Sequence, residues 1–507
     1  VDQTPTAPSP AAGRKNKAQD LKKEPPMRRT NPALGLIAAL IIGQAAAAHA
    51  QNPVPQIVGP VHPDAVAPGS GAFTLSVYGA NFVPGSVVNW NYQPRATTYI
   101  SAHEVQAEIL ASDISTNTAG YITVTNPAPG GGSSSASWAQ VEVHEPVSTI
   151  DLSSPAYSYF GFWQLLTTDF NHDAVLDLLG EYDGLGLELG VGDGLFKTPT
   201  IVDDTNDSPT QVGYGDFNND GKIDVVSFST LDAQNFGAAP TRMRMLIGDG
   251  NGHFTPGPGL QGNGYDFFYM TLGDFNQDGN LDLVTMNSYM ASYLGNGDGT
   301  FRLVGLNRVP SFYNPVLLSG DIDGDGKLDL ILANESSALN GHLSFAFLKG
   351  NGDGTFGKRQ KIVSLQDTYP CGNLGGAQLS DFNGDGKLDL AFCTSSQVVV
   401  MLGNGDGTFR WGSAVTIEPN NHGVGQYTFT VGDINSDGKP DLIVNEYSSF
   451  SPQLAVYLGN GDGTFQSPQT MSTISAESGM VPGDLNNDGL LDLVFQTGGG
   501  MEVYLQQ

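Results

Sequence analysis

The chain has 507 residues, enough for two or three domains, with 66 glycines, 15% charged residues and 52 acidic against 22 basic side chains. A formal charge of −30 excludes a nucleic-acid or anionic-membrane partner, because both need a basic face. It leaves room for bound cations.

Residues 1–26 are polar and rich in Pro and Lys, and are expected to form an unstructured upstream extension. MRRTNPALGLIAALIIGQAAAAHA, residues 27–50, reads as a secretory signal peptide. It has a basic start (Arg28, Arg29), an apolar run from Ala33 to Gly43 and a small-residue cleavage site at Ala48-His49-Ala50. The apolar run is too short to span a bilayer and no second one is present, so no transmembrane segment is expected after cleavage. The expected location is extracellular or at the cell surface, with the periplasm as the other compartment. Cys371 and Cys393 are the two cysteines. An oxidising compartment permits their disulfide, and two buried thiols are the alternative.

Residues 51–145 alternate apolar and polar residues in short runs: FTLSVYGANF (73–82), SVVNWN (86–91), TTYIS (97–101), VQAEIL (105–110), YITVTNP (121–127) and WAQVEV (138–143). Such runs, separated by Pro/Gly turns, predict a β-sandwich of immunoglobulin size without a pinning disulfide. The Gly/Ser run at 130–135 is read as a loop, and HEPV (144–147) as the link to the second domain.

From residue 147 one acidic motif recurs seven times, 47 to 60 residues apart. Oxygen-bearing side chains occupy positions 1, 3, 5 and 9, with Gly at 6 in six of the seven copies and a backbone carbonyl available at 7. The seven sets are Asp169, Asn171, Asp173, Val175, Asp177; Asp216, Asn218, Asp220, Lys222, Asp224; and Asp274, Asn276, Asp278, Asn280, Asp282. Then come Asp321, Asp323, Asp325, Lys327, Asp329; Asp381, Asn383, Asp385, Lys387, Asp389; Asp433, Asn435, Asp437, Lys439, Asp441; and Asp484, Asn486, Asp488, Leu490, Asp492.

Gly-rich turns of the form GNGDGTF (295–301) interleave with six of these loops and predict hairpins. Each repeat thus reads as four strands. The strand after the loop, such as LDLVTM (281–286), is apolar at consecutive positions and therefore buried on both faces. Four-stranded units at this period predict a seven-bladed β-propeller over residues 147–507, an all-β fold. The last repeat lacks its outer strand. VSTIDLSS (147–154) resembles the other outer strands and is expected to complete it, removing an open sheet edge.

Like carboxylates ~4 Å apart repel by about 1 kcal/mol per pair in bulk water and about 4 at an effective dielectric of 20. Oxygen ligands at 1, 3, 5, 7 and 9 around a Gly turn suit Ca²⁺, one per blade and up to seven. Ala174 replaces the Gly in the first loop, which should be the weakest site. The fourth carries Asp323 where the others have Asn, which should make it the tightest.

These loops resemble the FG-GAP/VCBS repeats of secreted bacterial proteins, related to the seven-bladed head of integrin α chains. The resemblance implies calcium in the loops, an extracellular setting, and adhesion or ligand binding. Departures are Ala174, Pro440 at position 8 of the sixth loop, and the shortened last repeat. GANFVPGS and VTNPAPGGGSSS in the front unit resemble the IPT/TIG immunoglobulin-like domain.

The face opposite the loops should carry variable, aromatic-rich connections. Tyr157, Tyr159, Tyr265, Phe268, Tyr313, Tyr369, Tyr427 and Tyr447 are the candidates there for stacking on a carbohydrate or contacting an extracellular protein. No catalytic residue is assigned. A polysaccharide lyase or glycoside hydrolase is the runner-up, needing two carboxylates at a cleft. The candidates off the loops, Asp151, Asp183, Asp203, Asp204, Asp266, Glu335, Asp367 and Glu446, have no distinctive spacing. A structural cell-surface role is the third reading.

Overall fold

The computed structural model describes residues 52–507 apart from segments 58–60, 64, 135–138, 153–156, 160–162, 182–183, 204–208, 231–240, 259–268, 287–288, 309–312, 337–341, 366–375, 395, 418–425, 448–452, 472–477 and 498–499. The upstream extension and the signal peptide lie outside the described residues. Regular structure among the described residues is all β, and no helix there is long and apolar enough to cross a membrane.

In the front unit, Gln56–Ile57, Phe73–Ala80, Glu104–Ile109 and Ala96–Ser101 form one sheet. Ala65–Val66, Gln140–Val143, Thr118–Asn126, Val87–Trp90 and Gln93–Pro94 form the other. Alternation puts Leu75, Val77, Val105, Ala107 and Ile109 of the first against Val88, Trp90, Ile122, Val124 and Val141 of the second in one apolar core. The Gly/Ser run departs from the loop reading: Gly132–Ser133 pairs with Thr125–Asn126 as a two-residue strand. Satisfying edge backbone groups of the long strand favours this over a free loop.

Beyond it lie seven four-stranded antiparallel sheets among the described residues. The third is typical. Tyr269–Gly273 runs into the acidic loop, Asp282–Met286 leaves it, Tyr289–Gly295 returns to the Gly turn, and Phe301–Arg308 is outermost. The second strand is buried throughout, as consecutive apolar residues require. The Phe at loop position 2 packs edge-on against the Phe ending the next sheet's Gly turn. Phe217–Phe301, Phe275–Phe356 and Phe382–Phe465 show ring centroids 5.6–5.9 Å apart. The backbone repeats the link: Gly299, Gly354 and Gly463 N–H donate to the carbonyls of Phe217, Phe275 and Phe382. Gly194 N–H donates to Leu485 C=O (3.2 Å) in the same way, joining the first sheet to the seventh. The arrangement is propeller-like, and the first strands of all seven sheets surround a cavity of about 520 Å³.

The seventh sheet is completed from the N-terminal side, but by Tyr157–Tyr159 pairing with Met501–Val503 rather than by 147–154. The earlier segment instead runs across the sixth and seventh sheets. Ile150 and Leu152 fill the apolar cluster there, and Ile150 N–H donates to Gln469 Oε1 (3.1 Å). Those two side chains have more apolar surface to bury in the seam than a solvent-facing outer strand offers. Cys393 is disulfide-bonded; Cys371, the chain's other cysteine, lies outside the described residues.

Candidate functional site: the acidic loops

All seven loops share one hydrogen-bonding plan. The position-1 carboxylate accepts from the N–H of position 5 through Oδ1 and of position 6 through Oδ2. In the fifth loop these are Asp385 N–H (3.1 Å) and Gly386 N–H (2.7 Å) to Asp381. Asn383 Oδ1 also accepts from Asp385 N–H (3.0 Å), and Asp385 Oδ1 from Lys387 N–H (3.0 Å). In this loop the side chains at 1, 3 and 5 converge because each caps the backbone two to five residues on, the local preference of Asp and Asn.

Position 9 does something that spacing alone did not suggest. Its carboxylate is buried in every loop, and each oxygen accepts a backbone N–H. Asp389 Oδ2 takes Phe382 N–H (2.9 Å) and Oδ1 takes Gly403 N–H (2.7 Å), fastening loop, second strand and Gly turn together. Asp177, Asp224, Asp282, Asp329 and Asp441 repeat this with their own Gly turns. In the last repeat Gln506 N–H substitutes for the missing Gly on Asp492 (2.9 Å).

Burial makes these carboxylates reluctant to ionise. It pushes Asp177, Asp224, Asp329 and Asp389 up to about 7, Asp282 and Asp492 up to about 8, and Asp441 well above its ordinary value. In six loops position 1 behaves alike for the same reason, with Asp274, Asp433 and Asp484 at about 7 and Asp169, Asp216 and Asp381 raised. A cation at the loop would relieve this strain. The donor set fits a hard one: oxygen only, several carboxylates, a turn that concentrates them. In the fourth loop carboxylate oxygens of Asp321, Asp323 and Asp325 lie within 4.8 Å of one another. Asp323 Oδ1 and, in the sixth loop, Asp437 Oδ1 are buried without a hydrogen-bond partner.

The loops differ in ways that matter. Ala174 adopts φ 65°, a left-handed conformation that costs an L residue about 1–2 kcal/mol. The fourth loop, read from sequence as the tightest, contains its own counter-charge. The Lys349 ammonium lies against Asp323 and 2.7 Å from Asp325 Oδ2, and those hydrogen bonds raise its pKa. The corresponding residue before the Gly turn is Leu or Ile elsewhere (Leu189, Ile247, Leu294, Leu402, Leu458). Asp323 and Lys349 are thus departures found together in one repeat, a signal legible in the sequence and missed.

Of the aromatic candidates, Tyr157, Tyr159, Tyr313, Tyr427 and Tyr447 stand on strands. Tyr265, Phe268 and Tyr369 lie outside the described residues, as do Asp183, Asp204, Asp266 and Asp367. Of the other carboxylates, both oxygens of Asp203 accept from Arg244 Nη1 (2.7 and 2.8 Å), Asp151 is exposed, and Glu335 and Glu446 stand on second strands.

Residues 381–444 and 446–495, which contain the fifth to seventh loops, match the FG-GAP-like repeat family. No curated protein sequence matches the chain. Among solved structures it is similar to the Photorhabdus luminescens Tc holotoxin pore, at 13% identity and TM-score 0.39, over 79% of this chain but only 18% of that one. The periplasmic gluconolactonase PpgL of Pseudomonas aeruginosa is similar at 14% identity and TM-score 0.43, over 68% of this chain and 94% of that one. The V. cholerae biofilm matrix protein Bap1 is similar at 10% identity and TM-score 0.35, over 85% and 88%.

Proposed function

We propose that this chain is a secreted, calcium-binding adhesion or ligand-binding protein: a seven-bladed FG-GAP β-propeller preceded by an immunoglobulin-like domain of IPT/TIG type. The observation that carries the calcium reading is the common plan of seven loops, in which oxygens at positions 1, 3 and 5 converge above a buried carboxylate at 9. Calcium held by these positions and the carbonyl at 7 would supply the charge each loop lacks and add its binding free energy to folding.

The signal-like segment at 27–50 supports export to the cell surface, the medium or the periplasm. The aromatic residues of the face away from the loops are the proposed contact for a carbohydrate or an extracellular protein, without catalysis. The test is a glycan array probed with the chain in calcium and again after calcium depletion, beside measured calcium content. Selective binding lost on depletion supports the reading. Absence of bound calcium refutes the metal assignment, and hydrolysis or lyase cleavage of a bound glycan refutes the non-catalytic one.

A further inference from the structure

The front domain does not stand clear of the propeller-like unit. It sits on the face that carries the acidic loops. Tyr92 Oη donates to Asp169 Oδ2 (2.9 Å), Val54 N–H to Asp274 Oδ2 (3.2 Å), and His103 Nδ1 lies 2.6 Å from Asp321 Oδ2. These are three position-1 carboxylates in three loops, each approached through the same oxygen. Elsewhere Ser436 Oγ of the sixth loop donates to Glu142 Oε2 (2.5 Å), and Asp484 N–H of the seventh to Gln140 Oε1 (3.3 Å). Backbones touch as well. A Cβ on Gly279, position 6 of the third loop, would lie 2.3 Å from Asn52 O, and one on Gly489 in the seventh would lie 2.5 Å from Val143 O. Those glycines serve the approach of the front domain as well as the turn. Val54, Ala80 and Tyr121 complete apolar clusters of the ring sheets. Gln56, Ile57, Gln140 and Glu142 close one end of the central cavity.

We propose that the front domain is a cap docked on the calcium loops, and that docking and calcium binding strengthen each other. This rests on the calcium reading above. The sign comes from lone pairs. In the first, third and fourth loops Oδ2 of the position-1 carboxylate already accepts the position-6 N–H and takes the cap as its second contact. Oδ1 accepts the position-5 N–H, which in the first and third loops the position-3 Oδ1 accepts as well, and in the fourth loop it also accepts Gly324 N–H. The cap fixes the carboxylate with Oδ1 toward the cation. A cation that orders the loop presents Oδ2 to the cap. Linkage makes the effect reciprocal, so a change in the cap must alter calcium affinity by the factor by which calcium alters docking.

The test uses the full chain and calcium itself. Calorimetric titration compares the parent with Tyr92→Phe/His103→Asn, and with Arg95→Gln, which breaks the cap's internal Arg95–Asp113 ion pair and touches no loop. The double variant is expected to lose roughly 5- to 50-fold in affinity at two sites, with Arg95→Gln unchanged. Hydrogen exchange supplies the second readout. Calcium depletion is expected to raise exchange at Val54, whose N–H donates to Asp274, at least about tenfold while 118–126, within the cap, stay protected, so that undocking is distinguished from unfolding. A parent chain that binds no calcium removes the premise and the proposal together. Calcium binding that is equal or tighter in the double variant, or protection at Val54 that is indifferent to calcium, overturns the coupling and leaves the calcium reading standing.

Discussion

Replacing Asp389 with Asn separates what a buried carboxylate does for the fold from what its charge does for a cation. The side chain is fully buried and accepts Phe382 N–H and Gly403 N–H. Burial pushes its pKa to about 7 against an ordinary 3.8. In calcium-free solution the native state therefore holds this proton more tightly than the unfolded chain does. The contribution to stability is intact below pH 4 and is lost as pH rises through 7, by about 4 kcal/mol in all. Asn cannot ionise. It keeps one acceptor and leaves one N–H facing an amide, at a cost of about 1–3 kcal/mol.

Without calcium, Asp389→Asn should thus destabilise by about 1–3 kcal/mol near pH 4, by less at pH 5, where about 1.6 kcal/mol of the parent's contribution is already lost, and be neutral to stabilising at pH 8. With calcium, which needs the ionised form, it should destabilise most at pH 8. Urea unfolding followed by tryptophan fluorescence at each pH, with calcium removed by resin rather than by a pH-sensitive chelator, reads these signs. An equal loss at pH 5 and pH 8 without calcium would show that the carboxylate is not strained and would remove the physical case for a counter-ion.

Ala174→Gly should stabilise the first loop by about 0.5–1 kcal/mol, since relief of the left-handed Ala exceeds the entropy glycine adds; the same urea curves measure it. Glu188 is buried in the first sheet with neither oxygen partnered, and burial pushes it up to about 7. Glu188→Leu should accordingly stabilise by about 1–4 kcal/mol at pH 8 and less at pH 5, and a loss at pH 8 would mean the carboxylate has a task. Lys349→Ala removes the internal cation of the fourth loop; the calcium affinity of that loop should rise about tenfold, some 1.4 kcal/mol, in calorimetric titration. Gly279→Ala and Gly221→Ala impose similar backbone strain, at φ 88° and 82°, but only the first meets the front domain. Gly279→Ala alone should raise hydrogen exchange at Val54, whose N–H donates to Asp274, and equal exchange in the two variants would argue against the docked cap.

The local chemistry of this protein was legible in its sequence. Asp and Asn at positions 1, 3 and 5 cap the backbone two to five residues ahead, so the loop closes on itself wherever the spacing occurs. Consecutive apolar residues after position 9 mark a strand buried on both faces, as Asp282–Met286 is. These relations span a few residues, and the side-chain period alone determines them. The tertiary structure decided what joins distant segments. Asp389 reaches Gly403 fourteen residues on, Lys349 reaches Asp323 across a hairpin, and Tyr92 of the cap finds Asp169 seventy-seven residues away. It also chose Tyr157–Tyr159 over 147–154 as the closing strand, because Ile150 and Leu152 had a deeper seam to fill. Each of these contacts depends on how the sheets and the front domain come together in space, and periodicity along the chain carries no record of that.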